Sequence, residues 1–163
     1  MTPARLVATF GGCGLSPRAP GTVGSFAALL LGLPLLKRPR ALAFAVLAAS
    51  LAGWWATEQA GEGEDHGWIV IDEVAGMWIA LLGCLPRNAA KGEKASAGLL
   101  APLAAFGLFR LFDITKPGLV GRLDRRHDSM GVMGDDIVAG LLAAGCVRAL
   151  RWCGRPRRAK GAA

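Results

Sequence analysis

The sequence predicts an all-α fold: one compact bundle of about five apolar helices, embedded in a membrane, with a short amphipathic helix beside it. Three observations predict this. Hydrophobic residues make up 53% of the chain against 19% charged, and the mean hydropathy is +0.40. An ordinary soluble domain is nearer ~45–50% apolar. The apolar residues fall into five runs of 14 to 18 residues, with no period-two alternation that would favour strands. Glycine is abundant, at 23 residues, and small residues let apolar helices approach closely in a membrane. A soluble all-helical core is the other reading of the same pattern.

With 163 residues the chain makes one domain, residues 1–163. Met1–Phe10 reads as a flexible N-terminal segment and residues 154–163 as a flexible basic tail. No secretory signal is expected, because the N-terminus turns at once into the Gly- and Pro-rich loop Gly11–Ser25. The first apolar run, Val23–Leu36, stops at Lys37-Arg38-Pro39-Arg40, and the second, Ala41–Thr57, carries no charge. Trp68–Leu85 is broken only by Asp72-Glu73, Ala95–Phe112 carries Arg110 near its end, and Ile137–Leu150 follows Asp135-Asp136. Leu119–Arg126 is the short amphipathic piece. These runs sit at or below the ~20 residues that cross a bilayer upright, so some span with local thinning or stop part-way.

The net charge of +7 is unevenly spread. Acids gather in Glu58–Glu73 and Asp113–Asp136, and bases in Lys37–Arg40, Arg87–Lys94 and Arg148–Lys160. Bases that flank apolar runs point to anionic lipid head groups, not to nucleic acid, whose binders set bases on a polar domain. The four cysteines show neither C-x-x-C nor paired Cys/His spacing, so zinc and redox chemistry are not indicated. If every run crosses, all the motifs described next share one face and the basic loops share the other.

Adjacent carboxylates at two expected helix starts, Asp72-Glu73 and Asp135-Asp136, are the strongest local signal. A charge in an apolar helix costs at least ~2.5–3.5 kcal/mol, so it needs a partner, a cavity or a task. Gly76 and Gly140 each lie four residues after one of these acids, leaving a gap for another helix or a ligand. Four such carboxylates, with Asp113 from a third helix, suit a hard cation such as Mg²⁺. Helix capping by first-turn acids is the bland alternative. Arg110, Asp113 and Lys116 fall three apart on one stripe. Either they form a salt-bridge ladder, or Asp113 binds metal while Arg110 or Lys116 grips phosphate oxygens. Asp124-Arg125 repeats that arrangement on the short helix.

The loop Gly11–Ser25 leads into the first apolar helix, where backbone N–H groups capped by Thr22 or Ser25 would hold an anion. His66, in Asp65-His66-Gly67, is a candidate acid, base or phosphate donor, although a lone loop histidine is commonly structural. A cysteine phosphatase is disfavoured, because Cys13 to Arg18 and Cys146 to Arg151 are each one residue short of C-x5-R. No D-x-D-x-[TV] signature occurs either. Metal-assisted hydrolysis remains.

The segments FGGCGLSPRAPGTVGSFAAL, DHGWIVIDEVAGMWIAL, FRLFDITKPGLVGRLDRR and MGVMGDDIVAG resemble, in this order, the phosphatidylglycerophosphatase A family, over roughly Thr9 to Ala144. The resemblance implies Mg²⁺-dependent hydrolysis of phosphatidylglycerophosphate to phosphatidylglycerol and phosphate, in a multi-pass protein of the bacterial inner membrane. It implies catalytic roles for Asp72, Glu73, Asp113, Asp135, Asp136 and His66, with the five acids also as metal ligands. Arg110, Lys116, Thr22, Ser25 and Asp124 would bind substrate. The active face is expected to be cytoplasmic, where the substrate's precursors are made. Lys and Arg counting argues the other way, with twelve on the loop side and seven on the motif side. A small ion or proton transporter is the rival from another class, and it would need acids deep within several spans.

Overall fold

The computed structural model describes residues 1–62, 64, 66–86, 98–126 and 128–153. The described residues hold seven α-helices and no strand: α1 (Pro3–Ala8), α2 (Pro20–Leu35), α3 (Pro39–Ala60), α4 (Ile71–Leu82), α5 (Leu100–Thr115), α6 (Leu119–Asp124) and α7 (Ser129–Cys153). Each of the five apolar runs carries one long helix, and the amphipathic piece is α6. Proline sets three of the helix starts. Pro3, Pro20 and Pro39 occupy first-turn positions of α1, α2 and α3, where the missing N–H costs nothing and φ is already helical.

The expected flexible N-terminus is corrected. Thr2 caps α1 by accepting the Arg5 N–H at 3.2 Å, Ala4 and Ala8 are buried, and the Ala8 carbonyl accepts the Val70 N–H at 2.9 Å. This short helix is therefore tied to the lead-in of α4. The basic tail 154–163 and the basic loop 87–97 lie outside the described residues.

At the centre is α4, packed by α2, α3, α5 and α7. Nine of its twelve residues are buried, and Trp78 donates its indole N–H to the Ala28 carbonyl of α2 at 2.8 Å. Glycine sets how closely α4 meets α7. A Cβ on Gly76 would come within 2.6 Å of the Asp136 carbonyl oxygen, and one on Gly140 would strike the Gly76 carbonyl. At the C-cap of α4, two turns after Gly76, a Cβ on Gly83 would lie 2.5 Å from the Ala144 carbonyl. The two backbones touch along this seam as small-residue helix pairs do.

The expectation of about five apolar membrane helices is corrected as well. Only α3 and α7, with 22 and 25 residues, are long and apolar enough to cross a membrane among the described residues. Helix α2 is apolar but has 16 residues, about 24 Å against a hydrocarbon core of ~30 Å. Helix α4 is shorter still and is covered by protein. Outside the bundle, Phe44, Leu47 and Leu51 of α3, Leu30 and Leu31 of α2, Leu100 and Ile114 of α5, and Leu141 and Leu150 of α7 all expose apolar side chains.

Candidate active site

The long helices alternate in direction, so the start of α2, the end of α3, the start of α4, the end of α5 and the first turns of α7 meet at one end of the bundle. The α4–α7 seam brings the acids together. Carboxylate oxygens of Asp72, Glu73 and Asp136 all lie within 4.8 Å of one another, a spacing that could hold one metal ion. Asp72 and Glu73 occupy the first turn of α4, as expected. Asp135 and Asp136 do not start their helix, because α7 begins at Ser129. Both are buried nearly two turns in, which removes capping as their explanation. The cap is Asp128, which accepts the Gly131 N–H at 2.8 Å. An Asp just ahead of an apolar helix was the sequence signal for it.

Two cations partition the acids. Arg110 pairs with Asp113 and reaches Glu73 Oε1 at 4.0 Å. Lys116 pairs with Asp135, with Asp124 at 3.1 Å and with Asp113 at 3.5 Å. The expected ladder is present, and Lys116 extends it across to α6 and α7. Pro117 disfavours the helical conformation at the residue before it, and Lys116 ends α5 at φ 47°, in the left-handed region. Burial works against its ammonium charge, but the hydrogen bond and charge of Asp135, then Asp124, push its pKa well above the ordinary lysine range.

Arg110 is positioned from α2. Its Nη1 donates to Ser25 Oγ at 3.3 Å and its Nη2 to Thr22 Oγ1 at 3.4 Å. Neither residue caps α2 as expected: Ala19, at φ 47°, is the N-cap and makes no side-chain cap bond. Ser25 is fully buried and donates to the Gly21 carbonyl at 2.6 Å, so it holds Arg110 from behind, while Thr22 is exposed. Gly21 went unnoticed in the sequence. Any Cβ there would run into Glu73 Oε1, so glycine lets the first turn of α2 lie against the Glu73 carboxylate. Its only sequence signal was a glycine in a first turn without a capping duty.

His66 stands apart from this network. Its ring stacks on Trp68 at 5.4 Å, and Arg5 lies over the same indole at 5.0 Å. Among the described residues it makes no hydrogen bond or ion pair with the acids.

The donor set fits a hard divalent cation. The converging groups are all carboxylates, which suit Mg²⁺. Glu73 Oε2 and Asp136 Oδ1 are buried without any hydrogen-bond partner. A buried carboxylate oxygen lacking a partner is costly, and a bound cation removes that cost. The rival of a carboxylate pathway across the membrane finds no support, since the acids that α4, α5, α6 and α7 contribute gather at one end.

The comparisons point to a family of phosphatases. The family model described as Phosphatidylglycerophosphatase A matches residues 6–151. A protein of Bacteroides thetaiotaomicron named "Putative phosphatidylinositol-3-phosphatase" is 35% identical over 155 residues, covering 90% of this chain and 92% of its own. The Phosphatidylglycerophosphatase A of Escherichia coli K12 is 38% identical over 148 residues, covering 88% and 80%. That of Haemophilus influenzae is 35% identical over 158 residues, covering 93% and 91%. No solved structure matches the chain. Matched over nearly its whole length by the family model and by these relatives, the chain belongs to the phosphatidylglycerophosphatase A family.

Proposed function

We propose that the protein is an integral membrane phosphatase that cleaves the terminal phosphomonoester of phosphatidylglycerophosphate, giving phosphatidylglycerol and inorganic phosphate with the help of Mg²⁺. The observation that carries the reading is the convergence of Asp72, Glu73 and Asp136 oxygens within 4.8 Å, beside Arg110 and Lys116, in a chain of this family.

Asp72, Glu73 and Asp136 would hold Mg²⁺, with Asp113 and Asp135 next to them. When bound, the ion neutralises phosphate charge and favours in-line attack by water. The chain's own groups do the rest. Arg110 presents a guanidinium fork, matched to phosphate oxygens, and Ser25 and Asp113 keep it from swinging away. Thr22, exposed at the edge of the site, offers a hydroxyl to the same phosphate. Lys116 holds Asp113, Asp124 and Asp135 in one arrangement and adds positive charge where the phosphate enters.

For the membrane setting, α3 and α7 supply two spans, and the exposed apolar side chains of α2, α3, α5 and α7 supply the lipid contact. The site would open to the cytoplasmic face of a bacterial inner membrane, on the side where the substrate's precursors are made.

Phosphate release by the purified chain, measured with Mg²⁺ and with EDTA, tests this. Turnover is expected only with Mg²⁺, and undiminished turnover in EDTA overturns the metal assignment. The relative named for a 3-phosphoinositide supplies the comparison substrate. Phosphatidylglycerophosphate should be preferred, and a preference for phosphatidylinositol-3-phosphate would move the reading to that head group while keeping the chemistry.

A further inference from the structure

At the end of the bundle opposite the acids, the C-terminal turns of α2, α4 and α7 and the N-terminal turn of α5 enclose a cavity of about 330 Å³. It is lined by Leu36, Cys84, Ala101, Ala104, Val147 and Arg151, among others. That volume lies at the low end of the ~300–1,000 Å³ typical of ligand pockets. Arg151 is the charged side chain in an otherwise mostly apolar wall. Its Nη1 donates to the Cys84 carbonyl and to those of Leu85 at 3.1 Å and Gly83 at 3.4 Å, which closes the open end of α4. Its Nε and Nη2 hydrogens have no partner among the described residues. The guanidinium is thus fixed in place with donors to spare among the described residues.

Among the described residues the surrounding charge has one sign. Lys37 and Arg38 directly follow Leu36, Arg40 lies in the first turn of α3, and Arg148 lies one turn before Arg151, all of them exposed. None of the described acids lies in these turns. A second copy of the chain docked here symmetrically would bring these cations face to face, which is unfavourable. Anionic lipid is the complementary occupant.

We propose that this cavity binds an anionic phospholipid of the bilayer, with part of an acyl chain against Leu36, Ala101, Ala104 and Val147 and the phosphodiester on the spare N–H groups of Arg151. The site rests on the membrane reading above and is separate from the substrate site, since Asp72 and Cys84 are about 18 Å apart along the α4 direction. The lipid would brace α4 against α7 at the end remote from the acids.

The test uses the full chain in phosphatidylcholine nanodiscs doped with phosphatidylserine, a phosphodiester that is neither proposed substrate nor product. Native mass spectrometry counts the lipid retained, and Tm is read in parallel. Wild type should retain one phosphatidylserine about tenfold in preference to phosphatidylcholine and gain Tm with it. Ala104→Trp, which fills the cavity, and Arg151→Gln, which removes the guanidinium, should each weaken retention by about tenfold. Ala104→Trp should keep phosphate release within about twofold in phosphatidylcholine alone. Asp72→Asn should retain phosphatidylserine like wild type even if the phosphatase reading fails, so the two failures are distinguishable. Equal retention of the two lipids by wild type overturns the proposal without any variant. So does undiminished retention in either cavity variant, or loss of retention in Asp72→Asn.

Discussion

The two halves of the acidic cluster contain the same kind of side chain and are electrostatically opposite. On the side of α5 and α6, Asp113, Asp124 and Asp135 all meet Lys116, and Asp113 meets Arg110 as well. On the side of α4, the trio Asp72, Glu73 and Asp136 has, among the described residues, one ion pair only, the 4.0 Å approach of Arg110 to Glu73. Asp136 is 2% exposed and Asp72 8%. The first half is cross-linked by its two cations and behaves as scaffold. The second crowds buried carboxylates with little cationic compensation among the described residues, so burial, then the neighbouring acid, raises the pKa of Asp72, and burial raises that of Glu73, a cost a structural cluster has no reason to bear.

The comparison breaks most visibly through paired Asp→Asn changes. On the proposed reading, Asp72→Asn and Asp136→Asn should each lower phosphate release by about 10³-fold, roughly 4 kcal/mol of transition-state stabilisation. In EDTA both variants should melt no lower than wild type, because each replaces a buried carboxyl crowded by other acids with a neutral amide of the same size. Asp135→Asn should do the opposite to stability, since Lys116 loses its closest partner. Activity assays and melting curves of the three variants, with and without Mg²⁺, check this. If Asp72→Asn melts lower than wild type in EDTA, the trio is already balanced and the contrast is false.

Lys116 sharpens the comparison from the other half. Lys116→Met keeps the bulk of the stem and removes the charge that three carboxylates share, so activity should fall by about 10²-fold and Tm should fall even with Mg²⁺ present. Normal activity with only a lower Tm would make Lys116 scaffold alone. Gly140→Ala tests the seam that brings the halves together. Its Cβ would meet the Gly76 carbonyl, whereas one on Gly145, in the same helix, meets nothing within 4 Å. Gly140→Ala should lower both Tm and activity, the latter by about tenfold, as a sub-ångström shift of the acids would. Gly145→Ala should raise Tm slightly, by the ordinary ~1 kcal/mol helix preference for alanine over glycine.

Much of this was legible beforehand, and the reasons are physical. Adjacent acids inside an apolar run need compensation wherever they sit, so Asp72-Glu73 announced itself. If the five apolar runs alternate in direction, the motifs meet at one end, and in the structure they do. Glycine four residues after an acid marked the α4–α7 approach in outline. Three-dimensional proximity carried the rest. Composition could not show that α4 is covered by protein while α3 and α7 keep long apolar faces, because a buried helix and a membrane helix read alike. Nor could it show that Ser25 is sealed behind Arg110 while Thr22, three residues earlier, is exposed. The start of α7 was misplaced because Asp135-Asp136 drew the eye as a first-turn acidic pair, when the quieter Asp128-Ser129 supplies the cap.

Asp128 also supplies the smallest and cleanest control, an acid beside the cluster whose contacts among the described residues are local. It accepts the Gly131 N–H at 2.8 Å and pairs with Arg126 at 2.9 Å. The Arg126 hydrogen bond, then the Gly131 N–H, lowers its pKa. A carboxylate with a depressed folded-state pKa contributes stability that is present above its unfolded value, about 3.9, and is lost as pH falls through the lower folded value. Asp128→Ala should therefore lower Tm at neutral pH, and its difference from wild type should shrink as the pH is taken below about 4. Asp128→Asn keeps an oxygen for the cap and should cost less. Both variants should release phosphate within about twofold of wild type, because neither the trio nor Lys116 depends on this residue. A loss comparable to that of Asp72→Asn would extend the reacting cluster to the N-terminus of α7 and erase the division between its halves.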